Sequence, residues 1–265
     1  MSFTVLITGA SSGIGRALAH EFASHGHDLV LVARTSSALE ALAAELARDH
    51  GVRASSLAAD LTQVDATSRL VAELDNAGLS IDVLVNNAGF GMQGTFAELP
   101  VDRQLQMIQL NAVVLTDLTR RLLPGMIARR RGGVLNVGST AAFQPGPFMA
   151  VYYATKAYVV SFSEAIAEEV SGSGVRVSCL APGPTESGFA DTAGLVGTRL
   201  FSGPVMRADD VARIAYAGWD RGESLVIAGR GNRLRAMVAR FAPRAWVRRT
   251  VAALNSRPPG GSPPA

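Results

Sequence analysis

Tyr152 and Lys156 are the two residues of this chain whose types and spacing most directly suggest chemistry. They stand four positions apart, which places two side chains on one face of a helix, one turn apart. Lys156 is the only lysine in the sequence, whose other positively charged side chains are arginines. An ammonium group beside a phenol favours the phenolate and lowers the pKa of the tyrosine. Tyr152 is therefore a candidate general acid/base.

The pair alone does not establish this function. A tyrosine and a lysine at this spacing are equally typical of a solvated helix face. Tyr153, three residues before Lys156, also lies near that face, so the spacing leaves the choice of tyrosine open. Whether the pair is catalytic therefore depends on the segments of the chain that would position it.

A glycine-rich segment near the N-terminus is typical of a phosphate-binding turn. It follows the apolar run Thr4–Thr8 and precedes a helical pattern over residues 16–24. Glycines allow a tight turn and a close backbone approach, and the helix N-terminus offers free N–H groups and a positive dipole to a pyrophosphate. The cofactor contacts predicted in this segment are Thr8, Gly9, Ser11, Ser12, Gly13, Ile14 and Gly15.

The residue that follows the second apolar run indicates the type of dinucleotide. Asp28–Ala33 is apolar after its first residue, and Arg34 comes next. An acidic residue near this position binds a ribose 2′-hydroxyl, whereas an arginine accommodates a 2′-phosphate. The sequence therefore favours NADP(H) over NAD(H), and the alternative is that Arg34 is a solvated loop residue.

Apolar runs and helical patterns alternate along the chain. The predicted strands are residues 4–8, 28–33, 52–59, 81–85, 133–137, 175–180 and 224–228, and the predicted helices are residues 16–24, 36–50, 62–77, 101–123, 152–170 and 207–219. This alternation predicts an α/β fold: one doubly wound, Rossmann-type parallel sheet of about seven strands, with helices on both faces. We expect residues 1–230 to form one domain, with the site at the carboxyl ends of the strands.

Several further motifs occur in a fixed order. Asp60 and Leu61 follow the third predicted strand, Asn86-Asn87-Ala88-Gly89 follows the fourth, and Pro182-Gly183 with Thr185 follows the sixth. With the glycine-rich segment and Y-x-x-x-K, they make the chain resemble the classical short-chain dehydrogenase/reductase family over about residues 4–230. The resemblance implies cofactor contacts at Asp60, Leu61, Asn87, Ala88, Gly89, Tyr152, Lys156, Pro182, Gly183 and Thr185.

The resemblance also implies catalytic roles for Asn111, Ser139, Tyr152 and Lys156. In the family pattern Tyr152, not Tyr153, exchanges a proton with the substrate oxygen, and Lys156 lowers its pKa and holds the nicotinamide ribose. Ser139, which stands 13 residues before Tyr152, would bind the substrate carbonyl, and Asn111 would hold a water of a proton relay. Hydride transfer to or from NADP(H) would complete the reaction. No metal site is expected.

Composition and the apolar residues near the motifs suggest where the protein is found and which kind of substrate it binds. Hydrophobic residues make up 48% of the 265, no apolar run has membrane-spanning length, and Cys179 is the single cysteine, so we expect a cytoplasmic protein. We also expect a homodimer or homotetramer. Apolar residues between glycines in segment 186–206 suggest a mobile lid over a hydrophobic carbonyl or alcohol substrate. The same residues are equally consistent with simple packing of the domain.

Residues 232–241 and 244–254 are predicted to form two basic amphipathic helices after the domain, within an extension that covers residues 231–255. Such helices either pack on the body with their arginines in solvent, which we favour, or lie on an anionic membrane surface, or cover a subunit interface. No motif predicts nucleic-acid binding.

Residues 256–265 are predicted to be a disordered tail. Two other functional classes stay open: a catalytically idle NADP(H)-binding sensor or scaffold, and a membrane-surface or partner-binding protein.

Overall fold

The computed structural model describes residues 2–203 and 205–256. Its main element is a parallel sheet of seven strands, with the order β3-β2-β1-β4-β5-β6-β9. The strand order reverses between β1 and β4, which is where a doubly wound sheet binds its ligand. The strands of this sheet are β1 Thr4–Thr8, β2 Asp28–Ala33, β3 Ala54–Ala58, β4 Val83–Asn86, β5 Gly133–Val137, β6 Arg176–Ala181 and β9 Leu225–Ile227.

Two very short strands, β7 Thr185–Glu186 and β8 Met206–Arg207, pair in parallel beyond the end of β6. The α-helices are α1 Gly13–Ser24, α2 Ser36–His50, α3 Ala66–Asn76, α4 Val101–Ile108, α5 Leu115–Arg129, α6 Ala150–Glu169, α7 Phe189–Thr192, α8 Ala208–Asp220, α9 Arg230–Phe241 and α10 Arg244–Asn255. A π-helix, Gln109–Val114, joins α4 to α5, and two 3₁₀ turns cover Thr140–Phe143 and Arg199–Phe201.

The core has one apolar layer on each face of the sheet. Central strands such as β4 and β5 are buried along their whole length, as expected for a parallel sheet covered on both sides. Helices α1, α2 and α8 cover one face around the fully buried Phe22 and Trp219. Helices α3 and α5 cover the other face around Leu70 and Leu118. The fold class inferred from the sequence is confirmed, including the helical C-terminal extension.

Most element boundaries agree with the sequence within a few residues, and the differences have local causes. The predicted third strand, residues 52–59, is shorter at both ends, and the predicted helix at 62–77 begins only at Ala66 because Asp65 adopts a left-handed conformation. The predicted helix at 101–123 is longer, reaches Arg129, and contains the π-helix. The predicted tail lies outside the described residues except for Ser256.

Two arginines of the basic turn after α5 contact neighbouring segments. Arg129 donates to the Ile81 carbonyl oxygen at 2.7 Å, and Arg131 forms an ion pair with Asp82 at 3.2 Å. These contacts tie the end of α5 to the start of β4. Among residues 2–203 and 205–256, no helix combines the length and the apolar character needed to cross a lipid bilayer.

Candidate active site

A cavity of about 670 Å³ opens along the carboxyl ends of the strands. It brings together the glycine-rich turn after β1, the ends of β2 to β6 and the start of α6. Its lining includes every predicted cofactor residue except Thr8 and Gly15, and every predicted catalytic residue except Asn111. Those three lie directly behind the cavity wall, where they shape it through hydrogen bonds and close packing.

The glycine-rich turn is held against β4 by a reciprocal set of hydrogen bonds. The Thr8 hydroxyl accepts from the backbone N–H groups of Asn87 and Ala88, both at 3.0 Å, and Asn87 Nδ2 donates back to the Thr8 carbonyl oxygen at 3.0 Å. A Cβ atom at Gly15 would lie 2.2 Å from the Gly9 carbonyl oxygen, so only glycine allows this close approach. The turn is therefore a rigid cradle of backbone groups at the N-terminus of α1, suited to a pyrophosphate.

Arg34 and Asp60 form the end of the cavity farthest from Tyr152 along the sheet edge. Asp60 accepts hydrogen bonds from the Thr62 hydroxyl at 2.7 Å and from Gln63 Nε2 at 3.1 Å. The Thr62 hydrogen bond lowers the pKa of Asp60, and the positive charge of Arg34 contributes in the same direction. Both side chains line the cavity, so a carboxylate and a guanidinium face whatever occupies this end.

Tyr152 stands at the other end of the cavity, on the first turn of α6, beside Ser139. Ser139 caps the 3₁₀ turn that follows β5, with its hydroxyl accepting from the Ala141 N–H at 3.1 Å. Burial raises the pKa of the Tyr152 phenol above its ordinary value, and a hydrogen bond with the Ser139 side chain opposes that rise. The phenol therefore keeps its proton at neutral pH.

Lys156 lies one turn along α6, on the same face as Tyr152, and is 7% exposed. Its Nζ donates to the Val137 carbonyl oxygen at 2.7 Å and lies 5.8 Å from the centre of the Tyr152 ring. Burial lowers the pKa of Lys156 from its ordinary value of 10.5 to about 8. Burial is the largest influence on the pKa of both groups, and the role of Lys156 in lowering the phenol pKa stays a prediction.

Asn111 lies in the π-helix and is 1% exposed. Its side chain accepts from the Phe90 N–H at 3.1 Å and donates to the Phe90 carbonyl oxygen at 2.9 Å and to Thr155 Oγ1 at 3.2 Å. Thr155 in turn donates to the Tyr152 carbonyl oxygen at 2.8 Å. Asn111 thus ties the segment after β4 to the turn of α6 that carries Tyr152. π-Helices of this kind recur at functional sites.

The structure separates the two adjacent tyrosines that the spacing alone left open. Tyr153 Oη donates to Asn255 Oδ1 at 3.2 Å, and Asn255, at the end of α10, is fully buried and donates to the Pro147 carbonyl oxygen at 2.9 Å. The Tyr153 hydroxyl is thereby occupied in a structural contact. No sequence motif indicated a role for Asn255. Its position, four residues after Val251 and eight after Val247, is the one feature of the sequence that places it on the buried face of α10.

The segment between β7 and β8 closes one side of the cavity. The pairing of Thr185 with Met206 brings its two ends together, and Phe189 packs on Tyr152 with ring centres 5.1 Å apart. A Cβ atom at Gly13 would lie 2.6 Å from the Ser187 carbonyl oxygen, so the segment also touches the glycine-rich turn. It contributes Leu200 and other apolar side chains to the lining.

Comparison with known proteins assigns this arrangement to a family. A family model described as short chain dehydrogenase matches residues 3–194. The chain belongs to the short-chain dehydrogenase family. The assignment confirms the resemblance carried by the glycine-rich segment and the motifs that follow it, and it makes the chain a member of a family of oxidoreductases.

Three proteins illustrate how similar this chain is to known members of the family. A serine 3-dehydrogenase from Agrobacterium fabrum is 38% identical over 224 residues, 82% of this chain and 87% of that protein. A very-long-chain 3-oxoacyl-CoA reductase from Bos taurus is 35% identical over 181 residues, 67% of this chain but only 57% of that protein. The solved structure of a short-chain dehydrogenase from Sphingobium yanoikuyae in complex with NADPH has a TM-score of 0.80 and 37% identity, and covers 88% of this chain and 91% of that one.

Proposed function

We propose that this short-chain dehydrogenase is an NADP(H)-dependent oxidoreductase that interconverts a hydrophobic carbonyl compound and its secondary alcohol. The observation that carries the proposal is that one cavity has the glycine-rich turn and Arg34 at one end and Tyr152, Ser139 and Lys156 at the other. A dinucleotide is long enough to join a phosphate cradle to a proton donor in this way.

The lining fits the cofactor residue by residue. The backbone of the glycine-rich turn would bind the pyrophosphate, Arg34 would pair with the 2′-phosphate, and Asp60 would face the adenine. The relative from Sphingobium yanoikuyae, described in complex with NADPH, supports the same choice. When bound, the nicotinamide would supply the hydride.

The proton chemistry would belong to Tyr152. Because burial raises its pKa, the phenol holds the proton that a carbonyl oxygen must receive on reduction. Ser139, within the same lining, would orient that oxygen by donating a hydrogen bond. Lys156 would donate to the ribose hydroxyls. Asn111 would hold the first turn of α6, which carries Tyr152, against the segment after β4. At neutral pH the site would therefore hold a protonated acid for carbonyl reduction.

The substrate side of the cavity is apolar. Phe189, Leu195, Leu200 and Phe201 come from the segment between β7 and β8, and Met149 comes from the start of α6. Burying a hydrophobic substrate there removes apolar surface from water and excludes water from the reacting groups. Exposed apolar side chains on α4 to α6, among them Leu105 and Tyr158, are consistent with a homo-oligomer.

The test is a screen of carbonyl compounds with NADPH and with NADH, following the absorbance of the reduced nicotinamide. We expect turnover of hydrophobic ketones with NADPH and little with NADH. Tyr152→Phe should lower kcat by about 10²–10⁴-fold, the usual contribution of a general acid/base. Tyr153→Phe is the matched control and should keep kcat. Near-normal turnover by Tyr152→Phe would refute the mechanism, and the reverse order of the two variants would move the role to Tyr153.

A further inference from the structure

The outward side of α9 and α10 exposes apolar side chains among arginines. We call this the α9–α10 surface, and define it by Leu234, Met237, Val238, Phe241 and Trp246 together with the arginines of the two helices. The exposed fractions of the five apolar residues are 59%, 56%, 47%, 80% and 57%. Exposed apolar patches rimmed by polar or charged side chains mark interaction sites.

Helix α9 uses only a narrow face to contact the body of the protein. Ala236 is buried and Asn232 packs against Gly183, so that a Cβ atom at Gly183 would lie 2.4 Å from Asn232 Nδ2. The exposed residues Leu234, Met237, Val238 and Phe241 recur at the spacing of one helical stripe, on the side opposite Ala236. The apolar stripe therefore points away from the protein and is not part of its core.

The charge of the surface is of one sign. Seven arginines lie on the two helices: Arg230, Arg233, Arg235, Arg240, Arg244, Arg248 and Arg249. Within residues 2–203 and 205–256, none of them forms an ion pair. The sequence contains no acidic residue after Glu223. Around α9, Arg233 and Arg240 lie on one side of the stripe and Arg235 on the other.

This combination fits one occupant better than the others. A second copy of the chain docked through the same surface would place arginine against arginine without a carboxylate between them. A nucleic acid would leave the apolar stripe without a partner. An anionic lipid surface takes both features, because phosphates and carboxylates meet the arginines while apolar side chains enter the headgroup layer. We propose that the α9–α10 surface binds peripherally to anionic lipid bilayers.

The position of α10 gives this binding a consequence for catalysis. Val247 and Val251 pack in the same apolar cluster as Tyr152 and Leu195, and α10 contacts the 3₁₀ turn Arg199–Phe201. Leu200 and Phe201 of that turn line the cavity. A bilayer bound to the α9–α10 surface would therefore lie beside the segment between β7 and β8, where an apolar substrate dissolved in the lipid would enter the cavity. This consequence rests on the proposed function, whereas the lipid binding does not.

The test is co-sedimentation of the full chain with vesicles of phosphatidylcholine, with and without phosphatidylserine. We expect binding only to the vesicles with phosphatidylserine, and release at high salt because screening weakens the attraction. Replacing Arg233, Arg235 and Arg240 by Gln should weaken partitioning by about fivefold for each arginine. The double variant Leu234→Ser and Phe241→Ser should weaken it as well.

Matched controls are exposed residues far from the surface: Val64→Ser for the apolar variants and Arg48→Gln for the charge variants, both expected to bind like the wild type. Turnover of a water-soluble ketone should be unchanged by Leu234→Ser with Phe241→Ser, which separates this proposal from the proposed function. Equal binding to both kinds of vesicle, or none to either, would overturn it. So would a change of oligomeric mass in Phe241→Ser without a change in vesicle binding, because the surface would then be a subunit contact.

Discussion

Burial sets the proton affinities of the three titratable groups around α6. It raises the pKa of Tyr152 and lowers that of Lys156 to about 8, and it raises the pKa of the Cys179 thiol to about 12. A buried environment disfavours the charged form of each group, whatever its sign. Below about pH 8 the site therefore combines a protonated phenol with a protonated amine, the state that carbonyl reduction requires.

The pH dependence of reduction should follow Lys156. The phenol pKa lies above that of the amine, so Lys156 is the first of the two to lose its proton as the pH rises. We expect kcat for ketone reduction to be flat below about pH 8 and to fall above it. Lys156→Arg, whose side chain does not titrate in this range, should lose activity overall but keep a flat profile. A wild-type profile that stays flat up to 10.5, the ordinary lysine pKa, would contradict this assignment.

Arg34 should determine the choice between the two dinucleotides. Arg34→Asp removes a charge-assisted hydrogen bond to the 2′-phosphate, which is worth about 1.5–3 kcal/mol, and adds repulsion. We expect weaker NADPH binding and little change for NADH, measured by fluorescence titration of the reduced cofactor. Arg48→Asp, at an exposed position of α2 outside the cavity lining, is the control. Unchanged NADPH affinity in Arg34→Asp would show that another residue reads the phosphate.

At the scale of elements, short irregular segments do most of the positioning. The π-helix Gln109–Val114 directs Asn111 toward Phe90 and Thr155, and the 3₁₀ turn after β5 presents Ser139. The pair β7 and β8 clamps the base of the segment over the cavity. The long helices and strands form the frame, whereas these short segments place Ser139 in the cavity lining and Asn111 directly behind it.

The segment between β7 and β8 should move as a lid on this clamped base. Phe189 and Leu200 face the cavity, so an apolar substrate would gain contacts from them on closure. Hydrogen exchange should show weaker protection in residues 187–203 than in β6, and a gain in protection when NADPH and a substrate are added. Helix α2, outside the substrate end, serves as the internal control. Equal protection with and without ligands across the segment would exclude the lid.

At the scale of the whole molecule, the sequence was sufficient for features that follow from local pattern. Apolar runs ending in glycine or asparagine predicted the sheet and one shared edge for the glycine-rich turn, Arg34 and Ser139, because parallel strands end at the same side. The sequence was insufficient for features that depend on contacts between residues far apart in the chain. The π-helix keeps nearly the same apolar periodicity as an α-helix. The pKa directions depend on tertiary burial, and the role of Tyr153 depends on Asn255, 102 residues away.

The contact between Tyr153 and Asn255 links α10 to the first turn of α6, and it should contribute to global stability. Asn255 is fully buried, and Asn255→Ala would leave the Tyr153 hydroxyl and the Pro147 carbonyl oxygen without their partner. Leaving buried polar groups unsatisfied costs about 1–3 kcal/mol. Chemical denaturation should show a loss of this size for Asn255→Ala and none for Phe241→Ser, whose side chain is 80% exposed. A double-mutant cycle with Tyr153→Phe should give a coupling energy of about 0.5–3 kcal/mol, as expected for residues in contact. Additive effects would mean that α10 is held by its apolar residues Val247 and Val251 alone.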